Sequence, residues 1–193
     1  MINIFCKVYR KIHQFFYWIF YKNSFHFLSK SVSFNSTFRI DGSDGISINE
    51  GTFFQSGIWL YCCGIENIKA HLSIGRSCVF GYNNHIACVK SVKIGNFVLT
   101  ANNVYISDNI HQYEDIKKPI LHQPVKFKKA VKIGDGSWIG ENVSIIGASV
   151  GRNSVIGANS VVTNDIPDFS VAVGVPAKVI KRFDTVLQEW VRV

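Results

Sequence analysis

The chain has 193 residues, 47% of them hydrophobic and 18% charged, a balance that excludes a disordered chain and suits one globular domain. The formal charge of +8 favours anionic partners such as nucleic acid, a phosphorylated cofactor or a membrane surface, without choosing among them. Five cysteines without a CxxC pair argue against a disulfide framework and a zinc finger, and indicate buried thiols in a reducing compartment.

Residues 1–30 form the first predicted unit, a basic and aromatic amphipathic helix. Its polar stripe comprises Lys7, Arg10, Lys11 and Gln14. Its apolar stripe comprises Ile4, Phe5, Val8, Ile12, Phe15, Phe16 and Ile19. The longest apolar run is far shorter than the roughly 20 residues of a membrane span, and no cleavage site of a signal peptide follows it. Two alternatives stay open: the helix lies on an anionic bilayer, or it packs along its own protein.

Apolar residues recur with a period of six from about residue 46 onwards. The series runs through Ile48, Phe54 and Leu60, then Ile68, Ile74, Phe80 and Ile86, then Ile94, Thr100 and Ile106, then Ile133, Ile139 and Ile145, and finally Val150, Ile156 and Val162. This period fits neither an α-helix nor an ordinary strand, but it is typical of a parallel β-helix. The sequence therefore predicts a β-helix over residues 31–182, with Gly and Asn at its corners and about five coils.

Residues 107–130 interrupt this period with an insertion that is too long and too polar for a corner. Long loops in compact domains are usually functional or disordered. Tyr113, Ile116 and Ile120 give this loop enough apolar surface to pack, and His111 stands among acidic, aromatic and basic residues. The pattern predicts a loop that leaves the regular coils and packs through its own apolar residues.

The last predicted element is a short helix over residues 183–193, with Phe183, Val186, Leu187 and Trp190 on one side. A β-helix leaves an open sheet edge at each end, and natural proteins cover such edges. We expect the N-terminal helical segment to cover one end and this C-terminal helix to cover the other.

Three long motifs connect the second half of the chain to a known family. They are SDNIHQYEDIKKPI followed by HQPV, then VKIGDGSWIGENVSII, and then VIGANSVVTNDIPDFSVAVGVPAKVIKRF. On these motifs the chain, from Asn84 to about Phe183, resembles the hexapeptide-repeat acyltransferases, and particularly the branch that O-acetylates bacterial surface polysaccharides. The resemblance implies a left-handed β-helix that works as a homotrimer, with active sites between subunits, acetyl-CoA as donor and no metal. The handedness rests on the resemblance alone, because ordinary parallel crossovers are right-handed.

The resemblance also implies that the extruded loop delivers a histidine to the thioester, and His111 is the catalytic candidate. A neutral imidazole has a suitable pKa to take the proton of a sugar hydroxyl. Relatives commonly carry the pattern D-H-x-H, whereas this chain reads Asp108-Asn109-Ile110-His111, so an inactive protein stays an alternative. Residues with candidate orienting or acceptor-binding roles are Asn84, His85, Asp108, Tyr113, Glu114 and Asp115.

Candidate donor-binding residues match positions that line the pantetheine and adenine groove in relatives. They are Trp138, Gly140, Ala158 and Thr163, with Lys178 and Lys181 as candidate partners of the CoA phosphates. The alternative for the small residues is solenoid geometry, which requires them anyway, and for the lysines it is solvated charge. Asn164 stands where relatives often have Lys.

The predicted function is acetyl-CoA-dependent O-acetylation of a sugar hydroxyl in a surface polysaccharide or its precursor. We expect a cytoplasmic protein that binds a CoA thioester and a saccharide, and no nucleic acid. The basic aromatic N-terminus favours a lipid-linked acceptor and peripheral contact with the inner face of the cytoplasmic membrane. Alternatives are an acetyltransferase for an amino sugar, amino acid or antibiotic, and an inactive trimeric scaffold that binds glycan. A γ-class carbonic anhydrase is disfavoured, because the spacing of His85, His111 and His122 does not match its three-histidine zinc site.

Overall fold

A computed structural model describes the backbone of residues 2–193 and the side chains of residues 11, 12 and 14–193. In that part of the chain one α-helix, α1 (Ile2–Tyr21), precedes 22 short β-strands. Two 3₁₀ turns, Ser43–Gly45 and Ile120–His122, lie in connections between strands. Apart from α1, the regular secondary structure of the described residues therefore consists almost entirely of short strands, as the six-residue period predicts.

The strands wind into successive coils. The first four coils comprise β1 (Phe27–Leu28), β2 (Ser33–Phe34) and β3 (Phe38–Asp41); β4 (Ile46–Ile48), β5 (Phe53–Phe54) and β6 (Ile58–Cys62); β7 (His71–Ile74), β8 (Val79–Phe80) and β9 (His85–Cys88); and β10 (Ser91–Ile94), β11 (Leu99–Thr100) and β12 (Tyr105–Ser107). A hairpin of β13 (Asn109–His111) and β14 (Val125–Phe127) follows. The chain ends with β15 (Val131–Ile133), β16 (Trp138–Ile139), β17 (Ser144–Ile146), β18 (Val155–Ile156), β19 (Val161–Val162), β20 (Ser170–Val173), β21 (Lys178–Asp184) and β22 (Glu189–Arg192).

Each coil contributes strands to three flat faces, which we call sheets A, B and C. Sheet A contains β1, β4, β7, β10 and β15; sheet B contains β2, β5, β8, β11, β16, β18, β20, β21 and β22; sheet C contains β3, β6, β9, β12, β17 and β19. Neighbouring strands are parallel from coil to coil, and isolated bridges at Val150 and Ile166 continue sheet A beyond β15. The predicted parallel β-helix is confirmed, and its first coil already begins at Phe27.

The residues of the six-residue period form the core as stacked columns, one column under each sheet. On sheet B the rings of Phe34, Phe54 and Phe80 stack with centroids 4.7 Å apart at both steps. This distance matches the spacing of about 4.8 Å between parallel strands, so each side chain rests on its equivalent one coil away. Ile48 and Ile74 of sheet A and Leu60 and Ile86 of sheet C are fully buried in the same manner. Local repetition therefore produces one continuous core.

Two long excursions leave the same edge of the prism, the corner between sheets C and A. Residues 63–70 separate β6 from β7, and residues 108–130 separate β12 from β15, whereas only residues 89–90 separate β9 from β10. The second excursion is the extruded loop that the sequence predicts. The first excursion was not predicted, although the step from Leu60 to Ile68 in the apolar series departs from six.

One side of the described part of α1 packs on the first coil. The Tyr17 ring is buried and packs against Phe34 and Phe38, with centroids 4.9 Å and 5.2 Å away. The Trp18 indole Nε1 donates a hydrogen bond to the carbonyl oxygen of Leu28 at 3.0 Å. The helix thus packs on its own protein, one of the two alternatives. The predicted stripe residues Ile4, Phe5, Lys7, Val8 and Arg10 lie outside the residues whose side chains are described.

The prediction of a C-terminal helix over residues 183–193 is wrong, because this segment forms a β-hairpin. β21 pairs antiparallel with β20, and β22 pairs antiparallel with β21. The Asp184 carboxylate accepts hydrogen bonds from the N–H groups of Val186 and Leu187, at 2.8 Å and 3.0 Å, and this closes the turn. The unpaired edge of β20 supplies backbone partners that an isolated helix would not use.

Candidate active site

His111 lies at the end of the first strand of the extruded hairpin. Asn109 pairs with Phe127 and His111 pairs with Val125 across the antiparallel strands β13 and β14. The imidazole is exposed, and among the described side chains none shares a hydrogen bond with it. The backbone at His111 is thus held in register while its ring is free to meet a substrate.

Asp108 anchors the root of this hairpin. Its carboxylate is fully buried and accepts hydrogen bonds from three successive backbone N–H groups, those of Val89 at 2.9 Å, Lys90 at 2.9 Å and Ser91 at 2.7 Å. Charge-assisted hydrogen bonds of this kind are among the strongest in proteins. The side chain therefore joins the hairpin root to the tight corner of the preceding coil. Its predicted role in orienting His111 stays a prediction.

Asn109, which stands where relatives commonly have a first histidine, is tied into the same root. Its side-chain Nδ2 donates to the carbonyl oxygen of Ala87 at 3.1 Å and to Oδ1 of Asp108 at 3.0 Å. The Ser107 hydroxyl accepts from the Asn109 N–H at 3.1 Å. In this chain the residue at that position makes structural contacts. His111 is therefore the one histidine of the hairpin strand β13.

The acidic residues of the loop support its own geometry. Glu114 accepts a hydrogen bond from the Tyr113 N–H at 3.0 Å and forms an ion pair with Lys126 at 3.3 Å. These contacts, the backbone hydrogen bond above all, hold the pKa of Glu114 below its usual value, so the carboxylate is charged at neutral pH. Asp115 accepts from the Lys117 N–H at 3.0 Å and turns the loop tip.

Gln123, a residue that sequence reasoning missed, fastens the two ends of the loop tip. Its buried amide donates to the carbonyl oxygens of Asp115 and Lys118, both at 3.0 Å, and accepts from the Asp115 N–H at 3.3 Å. A glutamine in the motif HQPV gives no sign of burial, because its partners are backbone groups eight and five residues away. Gln123 makes the long loop an ordered one.

We expect Gln123→Ala to make the loop more sensitive to trypsin after Lys117, because Lys118 is followed by Pro119 and resists cleavage. The variant loses three hydrogen bonds worth about 1 kcal/mol each, so the opened loop should be cleaved at least roughly tenfold faster. Limited proteolysis followed by mass spectrometry measures the rate. Gln112→Ala is the matched control, because the Gln112 side chain makes no hydrogen bond among the described residues. Equal cleavage rates for the two variants would show that Gln123 does not hold the loop.

His85 belongs to a column of side chains on the outer surface of sheet C. Its ring stacks on Trp59 with centroids 4.0 Å apart and an interplanar angle of 1°, and Tyr105 lies 5.2 Å away on the other side. Burial, together with the charge of Arg39, lowers the pKa of His85 and favours the neutral ring. His85 is the first residue of β9, whereas His111 follows the last residue of β12, the neighbouring strand in sheet C. Within one chain the two histidines therefore lie at opposite strand ends of this sheet.

Asn84, the other candidate next to His85, is buried in a coil corner. Its amide donates to the carbonyl oxygens of Gly81 at 2.7 Å and Ala101 at 3.1 Å, and its Oδ1 accepts from the Val104 N–H at 3.1 Å. All these partners are backbone groups. The contacts of Asn84 are those of a corner residue, and its acceptor-binding role stays a prediction.

The candidate donor-binding residues do not form one cluster. Gly140 and Ala158 meet at the corner between sheets B and C, where a Cβ on Gly140 would lie 2.7 Å from the backbone nitrogen of Ala158. Trp138 is half-exposed on the outer face of sheet B. It lies in one column with Val155, Val171 and Lys181. By strand spacing, Trp138 and Lys181 are roughly 14 Å apart. The remaining two stand apart at the end of β19 and on β21: Thr163 and Lys178.

Among the described side chains, no group of three or more His, Cys, Asp or Glu stands close enough together to hold a metal ion. The four described cysteines, Cys62, Cys63, Cys78 and Cys88, are free thiols. The chemistry that the chain offers is that of an exposed imidazole on an anchored hairpin at one corner of the prism, with a flat corner of small residues at another.

Comparison with known proteins shows the family. A model described as the hexapeptide repeat of succinyl-transferase matches residues 71–108 and 130–164. Over 186 residues the chain is 34% identical to the putative lipopolysaccharide biosynthesis O-acetyl transferase WbbJ of Escherichia coli, covering 89% of this chain and 86% of the relative. The chain belongs to the hexapeptide-repeat acetyltransferases. The predicted acyltransferase is thereby confirmed at the level of the family, and so is its left-handed parallel β-helix.

Other relatives match the repeat region. A probable acetyltransferase of Mycobacterium tuberculosis is 41% identical over 131 residues, which are 66% of this chain but 43% of that protein. Galactoside O-acetyltransferase of E. coli is 38% identical over 120 residues, 60% of this chain and 56% of the relative. The chain thus spans about half the length of these two proteins.

Solved structures share the fold. AntD, an N-acyltransferase from Bacillus cereus, gives a TM-score of 0.72 at 19% identity and covers 86% of this chain and 87% of its own. A maltose O-acetyltransferase from Clostridium difficile gives 0.55 at 31% identity, covering 84% and 72%. Both likenesses extend over most of the β-helix of this chain.

Proposed function

We propose that this acetyltransferase moves an acetyl group from acetyl-CoA to a hydroxyl of a bacterial surface polysaccharide or of its precursor. The observation that carries the proposal is the similarity to WbbJ, which extends over 89% of the chain and includes most of the relative. The names of the galactoside and maltose O-acetyltransferases support a sugar hydroxyl as acceptor. The exposed imidazole in an extruded hairpin supplies the base that this reaction needs.

In the proposed mechanism His111 acts as the general base. Its neutral imidazole accepts the proton of the acceptor hydroxyl while the hydroxyl oxygen attacks the thioester carbonyl carbon. The C–S bond then breaks, and the imidazolium returns the proton to the departing CoA sulfur. The ester forms with no net change of the enzyme. The anchored hairpin fixes the position of the imidazole, and holding both substrates beside it supplies much of the remaining acceleration.

The corner at Gly140 and Ala158 suits the donor because no large side chain projects from it. A pantetheine arm can approach the backbone closely there, and it can hydrogen-bond to amide and carbonyl groups. Lys178 and Lys181 are exposed on β21 and carry the positive charge that CoA phosphates require. These features support acetyl-CoA as the donor. The same small residues also serve the close stacking of coils, as the contact at Gly140 shows.

We further propose a homotrimer with active sites between subunits. Support comes from an apolar stripe on the outer face of sheet B, where Val79, Leu99 and Trp138 are adjacent in register and 40%, 46% and 50% exposed. Contiguous exposed apolar surface commonly marks an interface, and most oligomers close by cyclic symmetry. A neighbouring subunit on this stripe would bring its hairpin towards the groove that holds the donor.

The donor part of the proposal is tested by calorimetric titration of acetyl-CoA into the purified protein and into Thr163→Trp. Thr163 is half-buried at the end of β19, so the larger side chain should fill the predicted groove. We expect the wild type to bind acetyl-CoA and the variant to lose this binding while it keeps its thermal stability. Absence of binding to the wild type would contradict the proposal.

The proposal places the protein at the inner face of the cytoplasmic membrane, where a lipid-linked acceptor would be found. Within residues 2–193 no helix has the length and hydrophobicity to span a bilayer. Helix α1 exposes Phe15, Phe16 and Phe20 by 45%, 53% and 71%. Lys22 and Lys30 lie beside the Trp18 ring, 4.5 Å and 5.9 Å from its centroid. Exposed phenylalanines with lysines nearby suit an anionic membrane surface.

We expect the triple variant Phe15→Ser, Phe16→Ser, Phe20→Ser to sediment with phosphatidylglycerol vesicles at least about fivefold less than the wild type, since each buried aromatic side chain contributes substantially to partitioning. Phe97→Ser, which alters a phenylalanine 54% exposed in the fourth coil, is the control and should bind like the wild type. Undiminished sedimentation of the triple variant would remove α1 as the membrane contact.

A further inference from the structure

A second concave site lies on the edge of the prism from which the catalytic hairpin leaves. This corner cleft, with a volume of about 670 Å³, is formed by the first excursion and the neighbouring corner of the first coil. Its polar lining residues are His26, Asp44, Cys63, Asn67, Lys69 and His71. Ligand sites in proteins have volumes of this order. Nothing in the mechanism described above uses this cleft.

Backbone geometry keeps the corner cleft open. Gly45 stands at its floor, where a Cβ would lie 2.6 Å from the carbonyl oxygen of Ala70 and 2.8 Å from the Cys62 sulfur. Glu66 and Asn67 turn the excursion with positive φ values of 51° and 64°. The excursion therefore forms a defined wall, and the floor admits no side chain that would fill the space.

The lining offers hydrogen-bond donors and acceptors of both charge signs. The imidazoles of His26 and His71 meet edge to face with centroids 5.2 Å apart, and both residues are exposed. Asp44 supplies a carboxylate, and Lys69 supplies an ammonium group. A phosphate group would meet repulsion from Asp44, and a purely apolar ligand would leave the polar side chains of the cleft without partners. A neutral polyhydroxylated molecule suits such a mixed polar surface.

The position of the corner cleft relates it to the hairpin. Cys62, at its floor, pairs in register with Cys88, and the Cys88 thiol lies 3.8 Å from the Asp108 carboxylate at the hairpin root. The cleft opens at the corner of the second coil and the hairpin at that of the fourth. By strand spacing these corners are roughly 10 Å apart along the edge. A ligand that reaches both must be extended along the prism.

We propose that the corner cleft is a remote subsite for the saccharide acceptor, and that the enzyme therefore acts on an oligosaccharide or polymer in preference to a single sugar. This inference rests on the proposed function. One part of the glycan presents its hydroxyl near the hairpin, while a more distant sugar hydrogen-bonds to Asp44, Lys69 and the two imidazoles. The corner cleft takes no part in the acetyl transfer. It binds the distant sugar and so raises the affinity of the enzyme for long acceptors.

The experiment compares the wild type with the double variant Asp44→Asn, Lys69→Met. Acceptors are size-fractionated fragments of a de-O-acetylated bacterial surface polysaccharide, from one sugar to several repeats. We expect the double variant to raise KM for long fragments about tenfold, with kcat and the KM for single sugars unchanged. Lys93→Met, at an exposed lysine on sheet A, is the control and should behave as wild type. Unchanged KM for long fragments in the double variant would overturn the proposal.

A binding measurement separates this proposal from the proposed function. The imidazole C–H resonances of His26 and His71 are followed by NMR while long fragments are added without acetyl-CoA. Shifts in the wild type that are lost in the double variant support the subsite, even if no fragment is acetylated and the proposed function fails. Resonances that do not respond, in an enzyme that acetylates the same fragments, would overturn the subsite alone.

Discussion

Replacing His111 with alanine is expected to lower turnover at least about a hundredfold, because a general base commonly contributes 10²–10⁴-fold to the rate. The exposed imidazole makes no hydrogen bond among the described side chains, so its removal should leave the hairpin intact. Acetyl-CoA binding and the thermal midpoint should stay as in the wild type. Steady-state release of CoA thiol in the presence of acceptor measures the effect.

His122→Ala is the matched control for this experiment. His122 is an exposed histidine in the same loop, on the 3₁₀ turn that ends the tip, and it lies outside the hairpin strands. Its removal should alter turnover less than about threefold, as expected for a surface substitution away from the reacting atoms. If His111→Ala turns over as fast as His122→Ala, then His111 is not the base.

Replacing Asp108 with alanine is expected to destabilise the protein by about 3 kcal/mol. The variant would leave three backbone N–H groups, one buried and two partly buried, without their acceptor. Each lost hydrogen bond to a charged group costs on the order of 1.5–3 kcal/mol where water cannot replace it, and water can reach the two partly buried groups. For a chain of this size the thermal midpoint should fall by roughly 6–12 °C. Differential scanning calorimetry measures it. Because Asp108 anchors the hairpin root, turnover should fall as well.

Glu50→Ala is the control for Asp108, since Glu50 is an exposed acidic residue at a coil corner whose carboxylate makes no hydrogen bond among the described residues. Its thermal midpoint should shift by less than about 2 °C, as surface substitutions usually do. An Asp108→Ala protein as stable as Glu50→Ala would show that solvent or a neighbouring group replaces the buried carboxylate.

The fold was predictable where one local rule repeats. Inward residues such as Phe54, Phe80 and Ile94 each stack on an equivalent one coil away, so the period alone reveals the architecture. The C-terminal segment was not predictable in this way. The spacing of Phe183, Val186 and Trp190 fits one side of a helix, but the open edge of β20 offered hydrogen-bond partners that sequence spacing does not show.

The candidate site was predictable in part. The broken period indicated the extruded loop and His111, because an insertion in a regular series is visible in the sequence. The contacts of Asp108 were not visible, since its partners are the backbone amides of Val89, Lys90 and Ser91. The corner cleft escaped notice for a similar reason, because its residues come from separate coils.

The central claim is transfer of acetyl from acetyl-CoA to a saccharide hydroxyl, and incorporation of isotopically labelled acetyl tests it most directly. Purified protein is incubated with ¹³C-acetyl-CoA and a de-O-acetylated bacterial surface polysaccharide, and the product is analysed by NMR and mass spectrometry. We predict labelled acetyl on the polysaccharide that mild base removes, as expected for an ester, and little label with His111→Ala. Absence of label, or label that mild base does not remove, would contradict O-acetylation.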